Sequence, residues 1–422
     1  MTKAYNFLLV FTIFANTYCI PSAGIGYGEI LLIPLLPILF FRSLKKHGHA
    51  TTQAYGMYIF FLIYALVVTL INVSLFPEID FGETLKRLIR NFYYVLLFIY
   101  FSRYFFNYLL AKKYFTYFSV ALAGFVIVQF VTYYFLGIYI DGHIPGLSID
   151  ASMLNEHTLK AAEFAGYVRP TGFLSECANC AHVLGLSLII ELVPYKGEEP
   201  NKKLIILYIA GLVMTTSANA FVEIFVAGAL WVLFKLRNRK SSFSRAGVVI
   251  SSVVAILLFI SVIPKIPMVY DVVERLTTIN EATDNSAGLR VLRGPAFFNE
   301  MNPVSKTVGI GFGNFLGYKK HFQINTIHEE DDEYMASLPD YLVSTGIIGF
   351  CLLLLCILVS FRNKPHKNRD ILILLLVICV SSSIAHSPIW VLYLSFALWG
   401  NHLDFNSKYN KNESIVYNTS FN

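Results

Sequence analysis

Apolar residues along this chain do not alternate with polar ones; they gather into long runs separated by short polar connections. A bilayer core about 30 Å thick needs about 20 residues of helix to cross it. Runs of that order recur at 4–20, 24–41, 53–76, 89–110, 114–137, 172–194, 203–218, 220–236, 246–264, 338–361, 369–386 and 388–402. Twelve such segments predict an all-α polytopic membrane protein built as a single membrane domain over 1–422, with no soluble domain expected at either end. The first run is followed directly by further spans, so it reads as a retained helix rather than a cleaved signal. The tightest divisions are the hairpins at 218–220 and 386–388, where one bent helix is the alternative. No internal repeat is evident.

Composition sharpens this picture. Of the 422 residues 56% are apolar and only 14% charged, with a mean hydropathy of +0.58, whereas a soluble domain carries roughly 25% charged residues. The net charge of +6 is better explained by cytoplasmic anchoring charges than by nucleic-acid binding. Most of the six cysteines (Cys19, Cys177, Cys180, Cys351, Cys356 and Cys379) fall inside apolar runs and read as small buried hydrophobes. Cys177 and Cys180 form a C-x-x-C with no second pair to complete a zinc site.

Lysine and arginine placement predicts the orientation. With the N-terminus cytoplasmic and twelve spans threaded, the cytoplasmic connections contain Arg42 to Lys46, Lys112-Lys113, Lys196 to Lys203, Lys235 to Arg245 and Arg362 to Arg369, all basic. Both termini are then cytoplasmic. The segments 77–88, 138–171 and 265–337 fall on the opposite side and hold most of the acidic residues. Two of them, 138–171 and the large 265–337, are far longer than a hairpin requires.

Chemistry-bearing residues concentrate in those two loops. Arg169-Pro170-Thr171-Gly172 leads into the sixth span, where Glu176 and Asn179 share a helical face. Carboxylates at that depth usually face protein or a wet cavity, although Arg169 could instead snorkel to headgroups. Glu223, within the eighth span, implies a cavity or a partner. The hairpin Thr215 to Ala220 has the small residues that close helix approach needs. The large loop contains Ser286 to Arg290, Arg293, Phe297-Phe298, Asn302-Pro303 and Gly309-Ile310-Gly311-Phe312-Gly313-Asn314-Phe315, then His328 before an acidic run Glu329 to Glu333. Consecutive acids in a loop are usually just solvated, so no metal and no cofactor is expected.

Four of these stretches, in order, resemble the bacterial O-antigen polymerase (Wzy-type) and O-antigen ligase superfamily. Arg169 to Glu176 matches an R-x-T-G…E element before a mid-chain span. Ser286 to Arg290 lies one residue longer than an S-x-x-R element opening the large external loop. Gly309 to Phe315 is similar to a G-x-G-x-G-N-F turn, and Tyr341 to Gly349 to a Y-L…G-I-I-G element entering the next span. The family histidine in an H-N-x-Y-L-like element has no counterpart: its position holds Met335, and the nearest histidine is His328.

The resemblance implies a glycosyltransferase, a polymerase that joins undecaprenyl-diphosphate-linked oligosaccharide repeat units into O-antigen or a related surface polysaccharide at the periplasmic face. Its expected partners are those lipid-linked glycans, the bilayer and a chain-length-regulating membrane protein. Arg169, Arg290 and Arg293 are the implied diphosphate ligands, because arginine suits a phosphate whose charge grows as the bond breaks. For the general base that the acceptor hydroxyl needs, Glu176, His328 and Asp340 stand as alternatives. Two other functions compete: a ligase transferring glycan to lipid A-core, which the missing histidine disfavours, and a flippase without covalent chemistry, which more often shows paired halves.

Overall fold

The end of the first helix decides how the chain begins to fold back on itself. Helix α1 (Thr2–Ala15) stops at Asn16, and a two-stranded ribbon of β1 (Cys19–Ile20) and β2 (Ile25–Gly26) turns the chain into α2 (Tyr27–Leu32). The computed structural model describes residues 1–20, 25–45, 53–95, 100–149, 168–195, 198–238, 286–324, 335–362, 364 and 366–399. Those residues are mostly helical. Four of their helices, in α4 (Gln53–Leu75), α7 (Tyr108–Leu136), α10 (Ala218–Asn238) and α14 (Ser337–Phe361), are long and apolar enough to cross a bilayer. Shorter apolar helices, among them α1, α3 (Leu35–Leu44), α8 (Cys177–Leu192) and α16 (Pro388–Trp399), accompany them.

Two expected spans are broken. The run 24–41 divides into α2 and α3 at Ile33-Pro34, because a proline inside a helix lacks an amide hydrogen and crowds the carbonyl four residues back. The run 89–110 does not start a span at 89. Asp80 accepts hydrogen bonds from the amides of Gly82 (2.7 Å) and Glu83 (3.4 Å), capping a charged helix α5 (Phe81–Phe92). Helix α6 (Tyr100–Phe105) ends inside the expected span, and Asn107 caps the next helix, its side chain accepting from Leu110 N–H. Helices α9 (Lys202–Met214), α11 (Ser286–Glu300), α12 (Pro303–Val308), α13 (Phe315–His321) and α15 (His366–Ser381) complete the set.

Polar contacts sort the helix ends into two layers. At one end Cys19 N–H donates to Ser148 (2.9 Å) and Ile144 N–H to the Tyr18 hydroxyl (2.9 Å). There too His321 meets Glu78 at 2.8 Å, and Ser337 N–H donates to the Ser382 carbonyl at 3.1 Å. The opposite end is laced by Lys112 with Glu191 (3.2 Å), Lys367 with Glu198 (3.5 Å) and Arg237 with Asp370 (3.7 Å). Between them lies the apolar core, in which Phe115, Leu184, Ile189, Leu212, Tyr393 and Phe396 are fully buried.

Candidate active site

The glycine-rich segment Gly309–Phe315 is a clamp, and the site is built on it. Gly309, Gly311 and Gly313 all have positive φ (98°, 87° and 77°), which side chains with a Cβ seldom adopt. Its backbone lies along α14: Ile310 N–H donates to Val343 (3.3 Å) and Gly311 N–H to Ser344 (2.8 Å). Gly346 departs from helical geometry there (φ 61°, ψ −172°), so α14 bends where the segment crosses it. The fully buried Asn314 ties the far side of the clamp. Its amide donates to Ile310 (2.7 Å) and Thr69 (3.2 Å), and its carbonyl accepts from the Thr84 hydroxyl (2.8 Å). Two stretches that carry the family resemblance, Gly309–Phe315 and Tyr341–Gly349, are therefore one structural unit gripping α4, α5 and α14.

Helix α5 gains its orientation from that grip. Thr84 and Leu88 are buried, while Phe81, Leu85 and Ile89 form an exposed apolar stripe at helical spacing. Arg87, Arg90, Asn91 and Tyr94 occupy another face and line a cavity of about 360 Å³. Its wall also includes Asn16, Glu29, Ser175, Asn179, Phe312, Asp340 and His386. Every one of these comes from the end of the bundle where Tyr18, Glu78 and Ser337 make their contacts.

Charge in the cavity is organised around two arginines. Arg90 Nε lies 3.4 Å from Glu29 Oε1, which also accepts from the Tyr94 hydroxyl at 2.8 Å. The other Glu29 oxygen accepts from Gly26 N–H (3.1 Å), and the Glu29 amide donates to Asn16 (3.1 Å). Glu29 is thus held on several sides, a positioned group rather than a mobile base. Asp340, in the first turn of α14, accepts from the Ser344 hydroxyl (3.1 Å) and lies within the field of Arg87. His386 has a positive φ of 56°, and its Nε2 lies 3.3 Å from both the Tyr58 and Tyr341 hydroxyls. Phe312 and Trp390 flank its ring, at centroid distances of 5.9 and 5.2 Å.

The residues singled out in the sequence are distributed unevenly about this cavity. Asp340 lines it. Glu176 lies at the N-cap of α8 (φ −138°, ψ 150°) rather than a turn inside a span, because the helix begins at Cys177; its neighbours Ser175 and Asn179 are in the wall. Arg169 is half-buried on the segment leading there, whose course is fixed by Gln129 accepting from Gly172 N–H at 2.8 Å. Arg293 is buried on α11, one residue before Gly294, which rests on Pro339 beside Asp340. Arg290 belongs to the same helix, and its side chain, like His328 and the run Glu329 to Glu333, lies outside the described residues. Glu223 has a partner that the sequence did not announce: His182 Nδ1, 2.5 Å away.

Arg87, Arg90, Glu29 and His386 were not singled out by pattern. A signal for the first two existed in the four-residue spacing of Phe81, Leu85 and Ile89 behind a capping aspartate. Reading 77–88 as loop and 89–110 as span cut that helix in two. No family model matches the chain, and no curated protein matches it.

Proposed function

We propose that this protein is a polymerase of lipid-linked glycans, with the Arg87–Asp340 cavity as its reaction chamber. The observation that carries the reading is the cavity itself. Two guanidinium groups (Arg87, Arg90) and two carboxylates (Glu29, Asp340) share one chamber at the end of an apolar bundle, with Leu174, Ser175, Asn179, Phe312 and the first turn of α14 converging on it. Leu174 and Ser175 belong to one, and Phe312 to another, of the four stretches that resemble the O-antigen polymerase and ligase superfamily, and Asp340 immediately precedes a third.

In this reading the chain threads the inner membrane of a bacterium twelve times with both termini cytoplasmic, so that basic connections stay inside and the cavity opens toward the periplasm. The substrates are oligosaccharide repeat units on undecaprenyl diphosphate. A hydroxyl of one unit attacks the anomeric carbon of the growing chain; the bond from that carbon to the diphosphate oxygen breaks, and the lipid diphosphate departs with the electron pair. Arg87 and Arg90 come first for stabilising that departing charge, because they line the cavity. Arg169, Arg290 and Arg293 stand behind them. Asp340 takes the proton of the attacking hydroxyl; of the two candidate bases among the described residues, Glu176 and Asp340, it is the one in the cavity wall.

Surface glycan from cells lacking the gene tests this reading. Loss of a polymerase leaves single repeat units on the carrier product. Finding no repeat units there would identify a flippase, and long chains stranded on the lipid carrier would identify a ligase.

A further inference from the structure

A second polar cluster lies beneath the cavity, inside the helix bundle. His182 of α8 and Glu223 of α10 are each about 1% exposed, and their Nδ1 and Oε1 atoms are 2.5 Å apart. The carboxylate occupies space that a side chain on α8 would fill: a Cβ on Gly185 would clash with Glu223 Oε2. The other two polar atoms of the pair, His182 Nε2 and Glu223 Oε2, have no hydrogen-bond partner among the described residues. Buried polar atoms are rarely left so.

Counting protons shows what the pair lacks. The short contact between Nδ1 and Oε1 holds one proton. If the pair is neutral, a second proton sits on Nε2 or on Oε2 and makes that atom a buried donor with no acceptor among the described residues. If both atoms are bare, the pair holds a net negative charge in an apolar interior. Neither state is complete, and the two differ by one proton. Among the described residues, the other titratable groups around the pair are Cys180 on α8, with Cys177 beside it, and Tyr393 on α16, with Cys379 on α15 next to Tyr393. The Tyr393 hydroxyl is already spent on the His182 carbonyl at 2.8 Å.

The pair also has a route to the cavity. Asn179 stands one helical turn before His182 and lines the cavity. Asn219 stands one turn before Glu223 and donates to Ser382 at 2.9 Å, next to the cavity residue Ser383. Each half of the pair therefore has an asparagine one turn, about 5 Å, nearer the cavity. We propose that His182 and Glu223 form a proton-binding site under the cavity, which exchanges its proton with cavity water past Asn179 and Asn219.

Infrared difference spectroscopy of the full-length protein in phosphatidylethanolamine–phosphatidylglycerol nanodiscs tests this. On acidification from about pH 9 to about pH 4, a range spanning ordinary histidine and carboxyl titrations, a protonated-carboxyl band is expected that shifts in D2O and is missing in Glu223→Gln. In His182→Gln the midpoint of that band should move by at least about tenfold in proton concentration, one unit of pKa, and in Asn179→Leu its deuterium exchange should slow several-fold. A band that persists in Glu223→Gln, or no titrating band in the wild type, overturns the site; unchanged exchange in Asn179→Leu overturns the route. If Glu223→Gln does not insert, an unmoved midpoint in His182→Gln overturns the site alone.

Discussion

The backbones of Gly309 and Gly346 touch. A Cβ on Gly309 would lie 2.6 Å from the amide nitrogen of Gly346, and one on Gly346 would lie 2.4 Å from the amide nitrogen of Gly309. Both residues have positive φ with ψ near 180°, a region open essentially to glycine alone. Substituting either by alanine adds about 1–3 kcal/mol of backbone strain and pushes the clamp off α14. Thermal unfolding of detergent-solubilised protein should show lower Tm for Gly309→Ala and Gly346→Ala. The double variant should lose less than the sum of the two, because they break one contact. Wild-type Tm in both single variants would show that the clamp is not under this constraint.

Arg87 and Asp340 separate the proposed roles. Arg87→Ala should cut polymer formation by about 10²–10³-fold, the usual cost of removing a donor aimed at developing charge. Arg87→Lys should recover part of that, since lysine keeps the charge and loses the planar fork. Asp340→Asn should cost about 10²–10⁴-fold if the carboxylate is the base, while Glu176→Gln, at the N-cap outside the wall, should cost far less. A reversed order would move the base to Glu176. The readout is chain length on gels of surface glycan, with membrane insertion checked by immunoblot.

The sequence made some of this plain and hid the rest for physical reasons. Long apolar runs announced the helices, since lipid-facing helices need no polar face. Gly309–Phe315 stood out by its glycines and Tyr341–Gly349 only by the resemblance, but geometry alone shows that they grip each other and so aim α5. Helix α5 itself was hidden: its residues mix exposed apolar, buried and cationic positions, and averaging hydropathy over a span-length window blends them into the neighbouring apolar run. Glu223 was visible as a costly buried carboxylate, whereas its partner His182 is 41 residues away and has no local signature. His386 likewise meets Tyr58 and Tyr341 only because three separate elements converge.

Acid sensitivity should be found at the ion pair capping the clamp. The Glu78 carboxyl is held below its ordinary value of 4.5, first by a hydrogen bond from its own backbone amide and then by His321. A lowered folded value means that its stabilisation is complete above the ordinary glutamate range and is lost as pH falls below it. In a plot of Tm against pH, Glu78→Gln should flatten the acid limb and change little at neutral pH, since the pair is exposed. An unchanged acid limb would assign that sensitivity elsewhere.

The two polar layers make a topological prediction. Cysteines placed, in a cysteine-free background, at exposed Lys86 near the cavity and exposed Lys203 at the opposite end should react differently with a membrane-impermeant maleimide applied from the periplasmic side. Lys86→Cys should be labelled and Lys203→Cys protected until the membrane is permeabilised. Labelling of both from the same side would undo the arrangement of the layers.

The most direct measurement is made with purified protein in liposomes, given a defined oligosaccharide repeat unit on undecaprenyl diphosphate, with products resolved by size. The expected result is a ladder of lengthening glycan with release of the lipid diphosphate, absent with Arg87→Ala. A protein that leaves such repeat units unjoined, or an Arg87→Ala variant that builds the same ladder as wild type, would contradict the assignment of chemistry to this cavity.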